Sequence, residues 1–320
     1  MPASLEYLER CATETGYQVA ALEKVTRLGE IAGEIGRHPT LRSSLALKGG
    51  TAINLCSGPP TRMSVDLDFN FVGCADREGM VQARPAIESA LVDLVGRLGY
   101  HVQQSSEAAA SRKIYATYRS VLGPSDRIEL DVNYLWRTPL AGVRRAELWQ
   151  PGELDRPSIT VVSDEELWVG KLLAFLDRTA PRDAWDISRM PSIAPELLQS
   201  PLLRRWFVAM SFILDHPLTT YDQNRLRARL TSDAIETQLH PTLTRDDRPD
   251  PATLFGVAWD VVDPLMSLTA DETSFVSRAQ RADVHAVLLF GDDRETAERF
   301  ESHPQVVWKL WNLRRHLGHA

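Results

Sequence analysis

The chain has 320 residues, about twice a typical domain, so two domains are expected. A hydrophobic content of 43% with 25% charged residues supports a sizeable core and excludes collagenous, low-complexity and broadly disordered classes. The net charge of -7 argues against a surface that grips nucleic acid over its whole extent, while leaving room for a local basic groove.

No apolar run approaches the roughly 18 residues of a membrane span. The opening stretch MPASLEYLERCATETG carries early acids and no long apolar segment, so it reads as an amphipathic helix and not as a signal peptide. Residues 4–38 read as helical with a break at Gly16, the clearest stripe being Val19, Leu22, Val25, Leu28, Ile31 and Ile35. Leu45-Ala46-Leu47 reads as a short buried strand running into Gly49-Gly50, with a helix over Thr51–Leu55 and a loop at Gly58-Pro59-Pro60. Residues 65–71 alternate apolar and polar and predict a strand. Pro85 is expected to open a helix that ends at Gly99. Strands are expected at 100–106, 112–121, 127–134 and 158–162. Ser163 and Glu166 then form a capping-box pattern for a helix that ends near Pro181. From about 195 the pattern is helical, interrupted by a polar, proline-containing loop at 240–251. No internal repeat is present.

Strands thus concentrate in the first half and helices in the second. This predicts an α/β (α+β) catalytic domain over 1–195, including the N-terminal helices, followed by a helical domain over 196–320. Cys11, Cys56 and Cys74 form no CxxC pair and no Cys/His metal spacing. They read as small core residues in a reducing, cytoplasmic setting.

Three clusters carry possible chemistry. Lys48-Gly49-Gly50-Thr51 lies between a strand and a helix, where glycines let the backbone approach a phosphate and free N–H groups face the anion. A Gly-Gly pair alone is only a turn. Asp66 and Asp68, two apart on a strand, share a face. Carboxylates about 6 Å apart repel by roughly 3 kcal/mol at an effective dielectric near 20, which a cation such as Mg²⁺ or Mn²⁺ would relieve. On a solvated face the repulsion is small. Asp131, on a later strand with the same alternation, would join that face if the strands are neighbours, and Glu129 is a weaker candidate beside it. Three carboxylates on one face suit a two-metal phosphoryl-transfer site.

The order of these motifs is similar to that of the polymerase-beta-type nucleotidyltransferases. KGGTAINL followed by Arg62, Ser64 and VDLDF resembles more closely the AbiEii/AbiGii-type toxins, as does the later block with Lys171 and Arg182-Asp183-Ala184-Trp185-Asp186. The resemblance covers roughly residues 44–190, and the loop from Thr51 to Asp66 is slightly longer than is usual in the family. It implies a polymerase-beta-like core with a mixed sheet and transfer of a nucleoside monophosphate from an NTP to an RNA acceptor, the tRNA 3′ end, blocking translation. By the same implication Asp66, Asp68 and Asp131 are metal ligands. Lys48, Gly49, Gly50, Thr51, Arg62, Ser64, Arg182 and Asp183 bind nucleotide, and Lys171 and Asp186 join the aspartates in catalysis. On the residues alone, Lys171 reads as a solvated helix cation and Arg182/Asp186 as a helix-terminal ion pair.

The family also implies a cognate antitoxin, with no stable complex expected. The same site would serve a protein hydroxyl as acceptor, a kinase-like transfer, or binding without turnover. Residues 306–320 hold Lys309, Arg314 and Arg315 with no acid after Glu301. They read as an ordinary helix whose cations favour its C-terminal dipole. Trp308 and Trp311 are expected in the core, base stacking being the other use of such rings.

Overall fold

A computed structural model describes residues 3–106, 108 and 110–318, so His319 and Ala320 of the basic tail lie outside the described residues. The chain divides into two compact units: one runs to Ser163 and takes in Leu239–Arg248, and the other comprises Asp164–Gln238 and the chain from Pro249 onward. This division falls before residue 195, because the helices just after Ser163 pack on others of the helical unit.

The first unit opens with α1 (Leu5–Thr15), capped by Ser4, and α2 (Val19–Arg37), separated at Gly16 as the sequence predicts. The short α3 (Leu41–Ser44) leads into β1 (Leu45–Lys48), which runs directly into α4 (Gly49–Cys56). Next come β2 (Asp66–Phe71) and α5 (Arg77–Arg97). The latter begins eight residues before Pro85, because the Asp76 carboxylate accepts a hydrogen bond from the Gly79 N–H at 2.7 Å and caps the helix there. The remaining strands are β3 (His101–Gln104), β4 (Ser111–Arg119), β5 (Ser125–Asn133), β6 (Val143–Glu147) and β7 (Ser158–Val162). Of these, β6 has no counterpart in the sequence reading, its Val-Arg-Arg-Ala-Glu wording lacking a clear apolar alternation.

All seven strands form one mixed sheet in the order β3-β4-β5-β2-β1-β7-β6. In the interior strand β1, Leu45, Ala46 and Leu47 are fully buried, as expected of a strand covered on both faces. In β2 and β5, Leu67, Phe69, Leu130 and Val132 fill the core while the intervening acids stay half-buried. Along β2 and β5 the sheet therefore packs its apolar residues on one face and presents its carboxylates on the other.

The second unit is helical, as predicted. It starts with α6 (Asp164–Arg178) and α7 (Pro181–Ile193), the latter opened by Pro181 at its first position. Its longer later helices span Pro201–Met210, Pro251–Met266, Ala270–Ala279, Arg294–Glu301 and Pro304–His316. Trp206 packs against Phe290 with ring centroids 5.0 Å apart, and Phe275 meets Phe300 at 5.9 Å, so aromatic contacts anchor its core. Arg204 grips Glu272 with two nitrogens, each 2.7 Å from a carboxylate oxygen, and Glu272 also closes a capping box with Thr269. No described helix is long and apolar enough to cross a membrane.

Candidate functional site

The site grows out of strand register. Lys48 on β1 pairs with Asp68 on β2, Asp68 pairs with Asp131 on the parallel neighbour β5, and Asp131 pairs with Lys113 on β4. Side chains of paired residues stand on the same face. One row across four strands therefore reads cation, carboxylate, carboxylate, cation. In the adjacent row Asp66 pairs with Glu129. The condition set by the sequence, that the strand of Asp131 neighbour that of Asp66 and Asp68, is met.

The six charged residues of these two rows are not equivalent. Glu129 is ion-paired with the Lys113 ammonium, which neutralises it and holds the lysine pKa above its ordinary value, with Asp131 adding to the effect. Asp131 is left with less compensation. Its Oδ1 is buried and has no hydrogen-bond partner among the described residues. Burial pushes its carboxyl above the ordinary aspartate value; the Asp68 charge pushes the same way, against the pull of Lys113 and Lys48. A group raised in this way contributes stability below its unfolded pKa of about 3.9 and loses it as pH rises through the folded value. Asp131→Asn is therefore expected to stabilise the protein at pH 7 by about 1 kcal/mol or less, a figure discounted for partial exposure. The gain should vanish below about pH 4. Urea denaturation across that range reads it out, and a variant destabilised at every pH would show that the carboxylate is structurally required.

The turn between β1 and α4 lies against this row. Gly49 has φ +72°, and a Cβ there would lie 2.8 Å from Asp68 Oδ2, so any other residue would be strained and would crowd the carboxylate. At Gly50 a Cβ would lie 2.5 Å from Nη2 of the buried Arg62 and 3.3 Å from Ser64 Oγ. No side chain caps the start of α4, so its first N–H groups are not occupied in that way. Thr51 is buried; its hydroxyl bonds the Asp66 carbonyl and lies 2.8 Å from Ser64 Oγ, tying the helix start to the edge of β2. Asn54 bonds the Gly50 carbonyl at 3.1 Å and receives Thr61 at 3.1 Å. The Tyr17 hydroxyl, its pKa pushed up to about 12 mainly by burial, donates to the Pro60 carbonyl at 2.7 Å. The Met63 N–H bonds the Thr242 carbonyl at 2.7 Å. The longer loop is thus held down along its length.

The residues that can hold a cation are Asp66, Asp68 and Asp131, which offer only hard carboxylate oxygens. Among the described residues, no three His, Cys, Asp or Glu side chains already converge as a metal cage. Hard carboxylate oxygens suit Mg²⁺ or Mn²⁺, and Mg²⁺ is commonly bound by one or two carboxylates completed by substrate phosphates and water. The unpartnered Asp131 oxygen is a ready acceptor in the same row.

The second predicted block lies in the helical unit. Lys171 on α6 sets its ammonium 2.8 Å from Asp183 and 2.9 Å from Asp186, both on α7. The three are 6%, 1% and 0% exposed, so this is a buried charge cluster and not a solvated helix face. Arg178 adds a second cation, its Nε 2.7 Å from Asp183. Burial alone would raise the Asp183 pKa, but Lys171 and Arg178 outweigh it and hold the carboxyl well below the usual range. Arg182 is half-buried on the same helix.

The sequence reading missed Lys113, Tyr17 and Thr242. Lys113 was accessible in principle: once the Ser120–Pro124 turn is drawn, the β4–β5 register sets it opposite Asp131. A cavity of about 620 Å³, lined by residues of α2 and the 154–158 segment, includes none of the carboxylate row.

No curated protein matches the chain. Among solved structures it is similar to MenT4, a nucleotidyltransferase toxin from Mycobacterium tuberculosis H37Rv. The TM-score is 0.65 at 20% identity, covering 93% of this chain and 98% of that one. At that identity the likeness speaks for the fold. The family model described as "Nucleotidyl transferase AbiEii toxin, Type IV TA system" matches residues 36–260, which include the carboxylate row, the glycine turn and the Lys171 cluster. The resemblance carried by KGGTAINL, VDLDF and the Lys171 block is thus upheld over most of the chain: it belongs to the AbiEii family of nucleotidyltransferase toxins from toxin–antitoxin systems.

Proposed function

We propose that this chain transfers a nucleoside monophosphate from an NTP to the 3′-hydroxyl of an RNA acceptor, a tRNA end, and so blocks translation in the cytoplasm. The observation that carries this reading is the in-register Asp68–Asp131 pair beside a glycine turn whose helix start has no side-chain cap. The N–H groups at Gly49 and Gly50 face phosphate oxygens, with the Lys48 ammonium adding charge. Arg62 and Ser64 shape the turn, and Thr51 ties it to β2. Asp66 and Asp68 would hold Mg²⁺ or Mn²⁺, which when bound supplies Lewis-acid stabilisation of triphosphate charge.

Asp131 takes the proton of the acceptor hydroxyl. Its raised proton affinity and unpartnered oxygen suit a base. The acceptor oxygen forms a bond to the α-phosphorus, the bond from that phosphorus to the bridging oxygen breaks, and pyrophosphate leaves with the electron pair.

The test is incubation of the purified chain with Mg²⁺, total tRNA and each α-³²P-labelled NTP in turn. Label on tRNA that disappears with chelator supports the reading and names the preferred base. Label on protein, or transfer only from γ-labelled NTP, would replace the RNA acceptor or the nucleotidyl group respectively.

A further inference from the structure

The Pro304–His316 helix lies beyond the family-matched residues 36–260 and carries none of the site residues named above. One side seats it: Val306 is buried, and Lys309 donates to the Leu214 carbonyl at 2.8 Å. The other side carries Val307, Trp308, Trp311, Arg314 and Arg315, all exposed and spaced three or four apart, so they share one face. Trp308 and Trp311 are 50% and 54% exposed, against 2% for Trp168 and 1% for Trp206. The expectation that these two rings lie in the core is therefore wrong. Burial of Val306 and the reach of Lys309 set the rotation of the helix, and that rotation turns both indoles to solvent.

Exposed rings of this size call for a partner. Charge indicates which kind. The Arg315 guanidinium sits 4.6 Å from the Trp311 ring centroid. Neither Arg314 nor Arg315 has an acidic partner among the described residues, and no Asp or Glu follows Glu301 in the sequence. On a chain of net charge -7 this is a local positive surface with aromatic faces built into it. A purely apolar partner would leave both guanidinium groups unanswered, whereas phosphates answer them and bases cover the indoles.

We infer that this face binds unpaired RNA nucleotides: Trp308 and Trp311 stack on bases while Arg314 and Arg315 contact the intervening phosphates. The two rings are about 4.5 Å apart along the helix axis, within the span of neighbouring nucleotides. The inference rests on the proposal that the acceptor is RNA and gives that acceptor a binding surface separate from the reacting atoms.

Fluorescence anisotropy of a fluorescein-labelled adenosine dodecamer of RNA, titrated with the full chain, tests it. Trp308→Ala with Trp311→Ala should weaken binding on the order of a hundredfold, about tenfold per lost ring. Trp308→Tyr with Trp311→Tyr should stay within a few-fold of wild type, since a stacking face remains. Arg314→Ala with Arg315→Ala should flatten the dependence of log affinity on log salt by about 1.4, roughly 0.7 for each lost phosphate contact on a single strand. Because these side chains are exposed, the melting temperature of each variant should match that of wild type. Equal binding by wild type and the double alanine variant, or no binding by wild type, overturns the inference. So does a change of molecular mass in light scattering with RNA affinity intact, which would make the face a protein interface. If tRNA is labelled but the variants bind the dodecamer like wild type, this surface fails and the transferase reading stands. If the variants lose dodecamer binding while tRNA is never labelled, the surface stands and the transfer reading fails.

Discussion

Asp68→Asn is expected to lower nucleotidyl transfer by about 10³-fold or more, equivalent to ~4 kcal/mol of transition-state stabilisation, with no loss of thermal stability. Asp68 is the centre of the row, flanked in register by Lys48 and Asp131, with the glycine turn packed on its carboxylate. Neutralising it removes a proposed cation ligand while the amide keeps the shape of the side chain. The same change relieves repulsion with Asp131 and gives up attraction to Lys48, so the net effect on stability is small. A second consequence follows from coupling. Because the Asp68 charge helps to raise the Asp131 pKa, that pKa should move down toward the ordinary aspartate value in the variant. The stabilisation expected from Asp131→Asn at pH 7 should then shrink when Asp68 is already Asn, and a double-mutant cycle by urea denaturation measures it. Full transfer activity in Asp68→Asn would sink the assignment of this row as the reacting centre. A fall of several degrees in the melting temperature would show instead that the carboxylate holds the turn together.

Much of this site was legible in the residues themselves. Alternation in Asp66-Leu67-Asp68-Phe69 and in Glu129-Leu130-Asp131-Val132 puts acids on one face and apolar residues on the other, because successive side chains in a strand point opposite ways. A period of two cannot say which strands are neighbours. The pairing of Asp68 with Asp131, and the flanking cations at Lys48 and Lys113, depend on sheet order, which non-local contacts decide. The same gap explains Lys171. Its helix and the Arg-Asp-x-x-Asp segment were readable, but burial of the ammonium between Asp183 and Asp186 depends on how α6 packs against α7. Thr51 illustrates a subtler limit. A hydroxyl after two glycines reads as a phosphate ligand, yet here it is turned inward onto the Asp66 carbonyl. Residues 240–251 read as a loop within the helical half, whereas Leu239–Arg248 belongs to the sheet-bearing unit through the Met63–Thr242 and Arg245–Gly16 hydrogen bonds. The start of α5 was not legible because its cap, Asp76, was not recognised, so Pro85 took its place as the expected start.

Lys171→Met is expected to destabilise the protein by about 3–5 kcal/mol, the largest stability effect of any single change discussed. The lysine is the buried cation between two carboxylates that are 1% and 0% exposed. Taking it away leaves two buried negative charges facing each other, with Asp183 keeping only the partly exposed Arg178 as its counter-cation among these groups. Methionine fills much of the space, so the loss measures charge more than packing. Lys171→Met combined with Asp186→Asn should cost less than Lys171→Met alone, because the second change removes one of the two buried carboxylates that lost the lysine. Arg178→Ala should cost about 1 kcal/mol or less, since its side chain is 63% exposed and solvent screens the pair. The pH dependence has a definite sign. The Asp183 pKa is depressed, so its contribution is present above the unfolded value of about 3.9 and is lost as pH falls through the folded value. Wild type should therefore lose stability on acidification below about pH 4, and Lys171→Met should lose less over the same range because less of the depression remains. Urea denaturation of the full chain at several pH values distinguishes these outcomes. A Lys171→Met protein as stable as wild type but inactive would move the lysine from the packing of α6 on α7 to the chemistry, whereas a destabilised protein that keeps its turnover at low temperature would fix its role as structural.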